Sequence, residues 1–349
     1  MSSPKAASIR YINQLRILAI YTVVAAHIAI WTAQRYQPLS FEWWLCNWIH
    51  ILAIWTVPVF VMVSGALLLE NPKNEPAGAF YKKRLSRIGI PVVFWTIVYI
   101  LARKYINHEP LSIRHVSRLI LTANPYYHLW FLYMIPGLYL VTPPLRSFIR
   151  QCSQTRRIAV IVLILLAAAI YYYLNTFYWH YPRLIFTMFI PYIAYYLCGY
   201  ELRHIDPKRI PAWVVLLAIA VCALYVAIIA GPFIDHQGYV GDVYIIDFLS
   251  PPVILMGVVI FMAAYNIDQR GKHKDGLLKK AEAWVASATL GIYVLHPLVL
   301  EYMRDNLSRR AAEKNIFVGL TVGPIIAFAA SYIITSLMMN VPFLRRTVG

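Results

Sequence analysis

The stretch Arg16-Ile17-Leu18-Ala19-Ile20-Tyr21-Thr22-Val23-Val24-Ala25-Ala26-His27 lies inside an apolar run that extends from about residue 12 to residue 33. Such a run is long enough to cross the hydrocarbon of a bilayer, which takes about 20 helical residues. It carries an arginine and an imidazole. Eleven steps of roughly 100° bring His27 back to nearly the face of Arg16, about 16 Å further along the helix. An ionisable stripe on a spanning helix costs several kcal/mol unless it faces protein or a wet cavity. This helix must therefore be packed inside a bundle, and the stripe reads as a polar path through it.

Composition extends the reading to the whole chain. Of 349 residues, 60% are hydrophobic and only 13% are charged, too few charges to cover a soluble domain of this length. The chain reads as one integral membrane domain over residues 1–349. Lys5 and Arg10 ahead of an apolar run imitate a signal peptide, but the run is too long and holds Arg16 and His27, so it reads as a retained first span. The net charge of +17 comes with no nucleic-acid-binding motif, and no nucleic-acid partner is expected. Cys46, Cys152, Cys198 and Cys222 have neither paired nor metal-ligand spacing and read as packing residues. No metal site is expected.

The fold expected is all-α, a polytopic transmembrane helix bundle of about ten spans. Apolar windows fall near residues 12–33, 42–69, 85–102, 128–145, 158–176, 184–200, 211–230, 244–266, 283–302 and 317–340. The second is long enough to predict a tilt or a kink at Pro58. Alternate loops hold 21 of the 32 lysines and arginines on the N-terminal side and 10 on the other. This bias places both termini in the cytoplasm. Two external loops are basic in spite of it, one with Arg103, Lys104, Arg114 and Arg118, the other with Arg304, Arg309, Arg310 and Lys314. Each is either a solvated loop or a site for an anionic substrate or headgroup.

With that topology, His27, His50, His128, Asp247, His296 and Glu301 all fall in the outer half of their spans. Any one of them could be structural, but together they mark an outer polar site. The cytoplasmic half holds Arg16 and the pair Arg84 and Arg87, three apart on a helix, whose guanidinium groups either anchor the membrane edge or converge on one anion. Tyr171, Tyr172, Tyr173, Phe177, Tyr178, Trp179 and Tyr181 form an aromatic cluster outside, level with Tyr126, Tyr127 and Trp130. This is either an interfacial belt or a surface for stacking sugar rings.

At these residues the chain resembles the acyltransferase-3 family of integral membrane acyltransferases, along nearly its whole length. The matching motifs are Arg16 and His27 in the first span; Phe60-Val61-Met62-Val63-Ser64-Gly65, with Val61 where the family has a second phenylalanine; and Tyr81-Lys82-Lys83-Arg84-Leu85-Ser86-Arg87-Ile88. His128-Leu129-Trp130-Phe131-Leu132 and Leu290-Gly291-Ile292-Tyr293-Val294-Leu295-His296-Pro297 follow in order. The look is nearest to short, stand-alone members that O-acetylate bacterial surface polysaccharides.

The resemblance implies an acetyl-CoA donor in the cytoplasm and a hydroxyl acceptor on an envelope glycan or its lipid-linked precursor, handled in the cytoplasmic (inner) membrane of a bacterium. Arg84 and Arg87, with Arg16, are then expected to bind the donor phosphates. His27 is the expected general base or transient acyl carrier, and the sequence leaves both roles open. His50, His128, Asp247, His296 and Glu301 are candidate supporting groups, and Ser64 and Trp130 candidate oxyanion donors. The rival reading is a secondary transporter of an anionic glycan or lipid precursor, since intramembrane ionisable groups serve transport as well.

Overall fold

The computed structural model describes residues 10–70, 75–205, 211, 213–222, 224–225, 247–270, 276–306 and 315–349. The described elements are all helical. They are α1 (Arg10–Ala33), α2 (Phe41–Ile51), α3 (Thr56–Leu68), α4 (Ala77–Tyr105), α5 (Ile113–Leu121), α6 (Trp130–Gln151) and α7 (Gln154–Leu174), then α8 (Ile193–His204). After these come α9 (Trp213–Cys222), α10 (Pro251–Arg270), α11 (Leu277–Ser287), α12 (Thr289–Asn306), α13 (Ile316–Met339) and α14 (Pro342–Val348). Part of the seventh apolar window, the loop after it, and Arg309, Arg310 and Lys314 lie outside the described residues.

Helix α1 packs against α2, α3, α10, α11, α12 and α13, so its ionisable stripe is enclosed by protein. The Phe41–Leu68 span has 78% of its most apolar window buried, against 17% for Gln154–Trp179. The first is therefore central, and the second is peripheral, with Val162, Leu163, Leu166 and Ile170 left exposed for lipid. Close approach at the centre rests on glycine. A Cβ at Gly65 on α3 would lie 1.8 Å from the Tyr196 carbonyl oxygen on α8, and one at Gly199 on α8 would lie 1.9 Å from the Met62 oxygen on α3. Small residues let membrane helices touch backbone to backbone, where dispersion replaces the missing hydrophobic drive. The C-terminal carbonyls of α3 are then satisfied by arginines: Arg146 donates to Leu68 O at 2.9 and 2.7 Å, and Arg203 to Ala66 O at 2.7 Å. Cations there also complement the helix dipole.

Five described spans are long and apolar enough to cross a membrane, and a sixth arises if Lys279–Ser287 and Thr289–Arg304, bent by 61° at Ala288, count together. The remaining windows contain helices that are short or polar. Helix α6, for example, carries three prolines and buries Thr142 and Arg146, which an interior helix can do and a lipid-facing one cannot. The second span is interrupted at Leu52–Trp55, ahead of Pro58. Pro58 sits in the first turn of α3, where its missing N–H has no helical partner to lose. The four cysteines are free.

Candidate active site

One site forms where the α2–α3 break, the turn before α6, and the helices α1 and α12 meet. A cavity of about 100 Å³ is lined by His27, His50 and His128, with Tyr127, Trp130 and Phe60 among its other walls. The His27 ring stacks on His296, with centroids 5.3 Å apart and planes at 24°. His128 meets His296 edge-on at 5.5 Å, and Tyr127 meets His27 at 4.8 Å. Thus four imidazoles from α1, α2, the turn before α6 and α12 converge, although His27 and His296 are far apart in the chain.

The hydrogen bonds decide what these rings offer. His296 Nδ1 lies 2.7 Å from the Tyr293 carbonyl oxygen and 3.2 Å from that of Ile292. A carbonyl only accepts, so Nδ1 carries the proton and Nε2 presents a lone pair. That Nε2, and both ring nitrogens of His128, are buried without a hydrogen-bond partner among the described residues. Each unmade bond of this kind costs about 1–3 kcal/mol, and folded interiors hold few of them. Three in one cluster mark a site held ready for a polar reactant. The turn carrying His128 is fixed from α12, since the Tyr293 hydroxyl donates to the His128 carbonyl.

The other candidates for this site stand further back. Glu301 is buried and accepts a hydrogen bond from the Tyr126 hydroxyl. Tyr126 stacks on Tyr99 at 4.5 Å, and Tyr99 meets the His128 ring at 4.8 Å. Glu301 is therefore separated from the imidazoles by a layer of tyrosines. Asp247 turns away to Arg183, 3.1 Å distant. Ser64 donates its hydroxyl proton to Phe60 O at 2.9 Å within its own helix, whereas Trp130 lines the cavity.

The second site is cationic. Arg16 donates to Thr289 Oγ1 at 2.6 Å, at the α11–α12 bend. Arg16, Arg84 and Arg87 all lie within electrostatic reach of the Tyr139 phenol on α6. Arg84 and Arg146 also sit 5.9 and 4.6 Å from the centre of the Phe80 ring. Glu75 pairs with Lys83 at 3.9 Å and Arg146 at 3.7 Å. No carboxylate forms an ion pair with Arg16, Arg84 or Arg87 among the described residues, and Arg84 Nε is buried without a hydrogen-bond partner. Nothing in the sequence alone singles out Arg146 or Tyr139. Their positions on a proline-rich helix gave no periodic signal.

The two sites lie on one pair of parallel helices. Arg16 meets Thr289, and eleven residues later His27 meets His296. Among the described residues no group of three or more His, Cys, Asp or Glu side chains is arranged to hold a metal. A family model described as an acyltransferase domain matches residues 9–339. No curated protein and no solved structure matches the chain.

Proposed function

The chain belongs to the acyltransferase-3 family, and from that premise we propose that this multi-pass membrane protein is an O-acetyltransferase. Its donor is cytoplasmic acetyl-CoA, and its acceptor is a hydroxyl of an envelope polysaccharide or of the lipid-linked precursor, at the cytoplasmic (inner) membrane of a bacterium. Membership in a family of acyltransferases sets the transporter reading aside. The observation that carries the finer proposal is the pairing of two clusters: Arg16, Arg84 and Arg87, which form no carboxylate ion pair among the described residues, towards one end of the α1–α12 pair, and the imidazole cluster at the other.

The arginines suit the phosphates of coenzyme A, which bidentate guanidinium groups bind through paired charged hydrogen bonds. The thin pantetheine arm is the part of the donor that follows the Arg16–His27 stripe. At the outer end, an acceptor oxygen attacks the thioester carbonyl carbon. Its proton passes to an imidazole nitrogen, the tetrahedral adduct collapses with cleavage of the C–S bond, and the thiolate leaves and takes that proton. His27 is the proposed base because it lines the cavity on the arginine stripe. His296, whose lone pair is set by its carbonyl contacts, supports it through the stacked ring. The indole N–H of Trp130 is a candidate donor to the oxyanion.

The test uses purified protein in lipid nanodiscs with radiolabelled acetyl-CoA and extracted envelope glycan. Label should move into glycan with the wild-type protein and fall by about 10²–10⁴-fold with His27→Ala, while thermal stability is retained. Equal transfer by the variant, or loss of transfer through unfolding alone, would remove His27 from the chemistry.

A further inference from the structure

The imidazole cavity, at about 100 Å³, has room for a few waters or a small acyl group, but not for a sugar. The acceptor must lie mostly elsewhere, and a second cavity begins on the other side of Trp130. It holds about 440 Å³ between α7 and the segment 182–192, within the range of about 300–1,000 Å³ of small-molecule sites. Trp130, Tyr171, Tyr172 and Tyr192 line it together with Arg183. The Arg183 guanidinium lies 5.2 Å from the Tyr172 ring and 6.0 Å from the Trp130 ring, and Asp247 holds it in place at 3.1 Å.

The two cavities share a wall. After Asp247, Phe248 lines the imidazole cavity and Leu249 lines the aromatic one, with the Phe248 ring 5.3 Å from that of Trp130. At the far side, Pro182 and Leu184 are shared with an open groove that carries Arg114, His115 and Arg118 of α5. Three recesses therefore lie side by side, each sharing a wall with the next: imidazoles, then aromatic rings with a clamped guanidinium, then an exposed basic groove.

We propose that the aromatic cavity is the sugar-binding subsite of the acceptor, and that the Arg114–Arg118 groove takes an anionic group on the same acceptor. The acceptor is then an anionic saccharide whose reacting hydroxyl projects past Trp130 towards His27. Aromatic faces receive the apolar face of a pyranose, and Arg183 supplies hydrogen-bond donors to its hydroxyls. The anion is either a carboxylate of the glycan or a phosphate of a lipid-linked saccharide. This assignment rests on the acetyl-transfer reading for the direction of the reaction, but not for the binding itself.

The test is photolabelling of the full chain in nanodiscs with decyl glucuronide and decyl glucoside, each carrying a diazirine. Both probes should label peptides from α7 and from 182–192. Ala167→Phe, which fills the aromatic cavity from an exposed position on α7, should lower labelling by about tenfold, the factor equivalent to 1.4 kcal/mol. Arg114→Ala with Arg118→Ala should weaken the glucuronide a few-fold, more so at low salt, and leave the glucoside unchanged. Competition by a soluble acidic oligosaccharide identifies a glycan carboxylate. Competition by a polyprenyl-phosphate sugar alone identifies the lipid-linked form. Undiminished labelling in Ala167→Phe overturns the subsite, and equal loss of both probes in the arginine variant overturns the anionic groove. Acetyl-CoA binding, measured on the same wild-type preparation, separates the two readings. Saturable glycoside labelling without donor binding keeps this site and rejects the acetyl-transfer reading.

Discussion

His27 and His296 stack at 5.3 Å with their planes 24° apart, and His296 is held by carbonyl contacts that leave its Nε2 as an acceptor. The two rings form one unit in which the second fixes the first. His296→Asn keeps an N–H that can reach the α12 carbonyls but removes the ring and its free nitrogen. We expect this variant to fold and bind acetyl-CoA, with kcat lowered while donor KM changes little. A change confined to donor KM would assign His296 to the donor path instead.

Arg84 and Arg87 both act electrostatically on the Tyr139 phenol and form no carboxylate ion pair among the described residues. Lysine at either position retains charge but loses the two-pronged donor geometry. Arg84→Lys and Arg87→Lys should each weaken acetyl-CoA binding, and Arg84→Ala with Arg87→Ala should weaken it further. Binding to the purified variants by isothermal calorimetry checks this, and unaltered affinity in the double variant refutes the phosphate assignment.

Gly65 and Gly199 allow α3 and α8 to meet backbone to backbone. Gly65→Ala places a methyl 1.8 Å from a carbonyl oxygen, and neither helix backbone can turn aside as a side chain would. Overpacking costs about 1–3 kcal/mol even where side chains can shift. We expect a clear fall in thermal stability for Gly65→Ala, and none for Gly78→Ala, whose new methyl meets nothing within 4 Å.

The loop after α4 contains a pH-dependent tether. Arg103 donates two hydrogen bonds to Glu109, at 2.6 and 2.8 Å, and these hold the Glu109 carboxyl below its ordinary value of 4.5. A carboxyl lowered in the folded state stabilises above its ordinary value, and that contribution is lost as the pH falls through the lowered one. Hydrogen exchange at residues 106–112 should therefore be flat from pH 8 to 5.5, after correction for intrinsic rates, and rise below pH 4. In Glu109→Gln the protection should be low throughout.

The topology has its own check. With both termini in the cytoplasm, Val240→Cys in an otherwise cysteine-free variant should react with an impermeant maleimide in intact spheroplasts. Reaction only after permeabilisation would invert the orientation.

Hydropathy and the spacing of Arg16 and His27 were enough to read a helical membrane protein and one ionisable face on its first span. Both are local properties: a bilayer demands long apolar helices, and 100° per residue puts positions eleven apart on one side. Depth along each span also grouped the imidazoles in one half, because rise per residue is fixed. Rotation about each helix axis is set by packing against neighbours, and there the sequence was silent. Only the tertiary structure turned His50, His128 and His296 towards His27, placed Glu301 behind a layer of tyrosines and sent Asp247 to Arg183. It also bent the ninth span at Ala288 and set the aromatic cavity beside Trp130, since each depends on contacts between segments far apart in the chain; the break ahead of Pro58 in the second span was legible from the length of that apolar run and its proline.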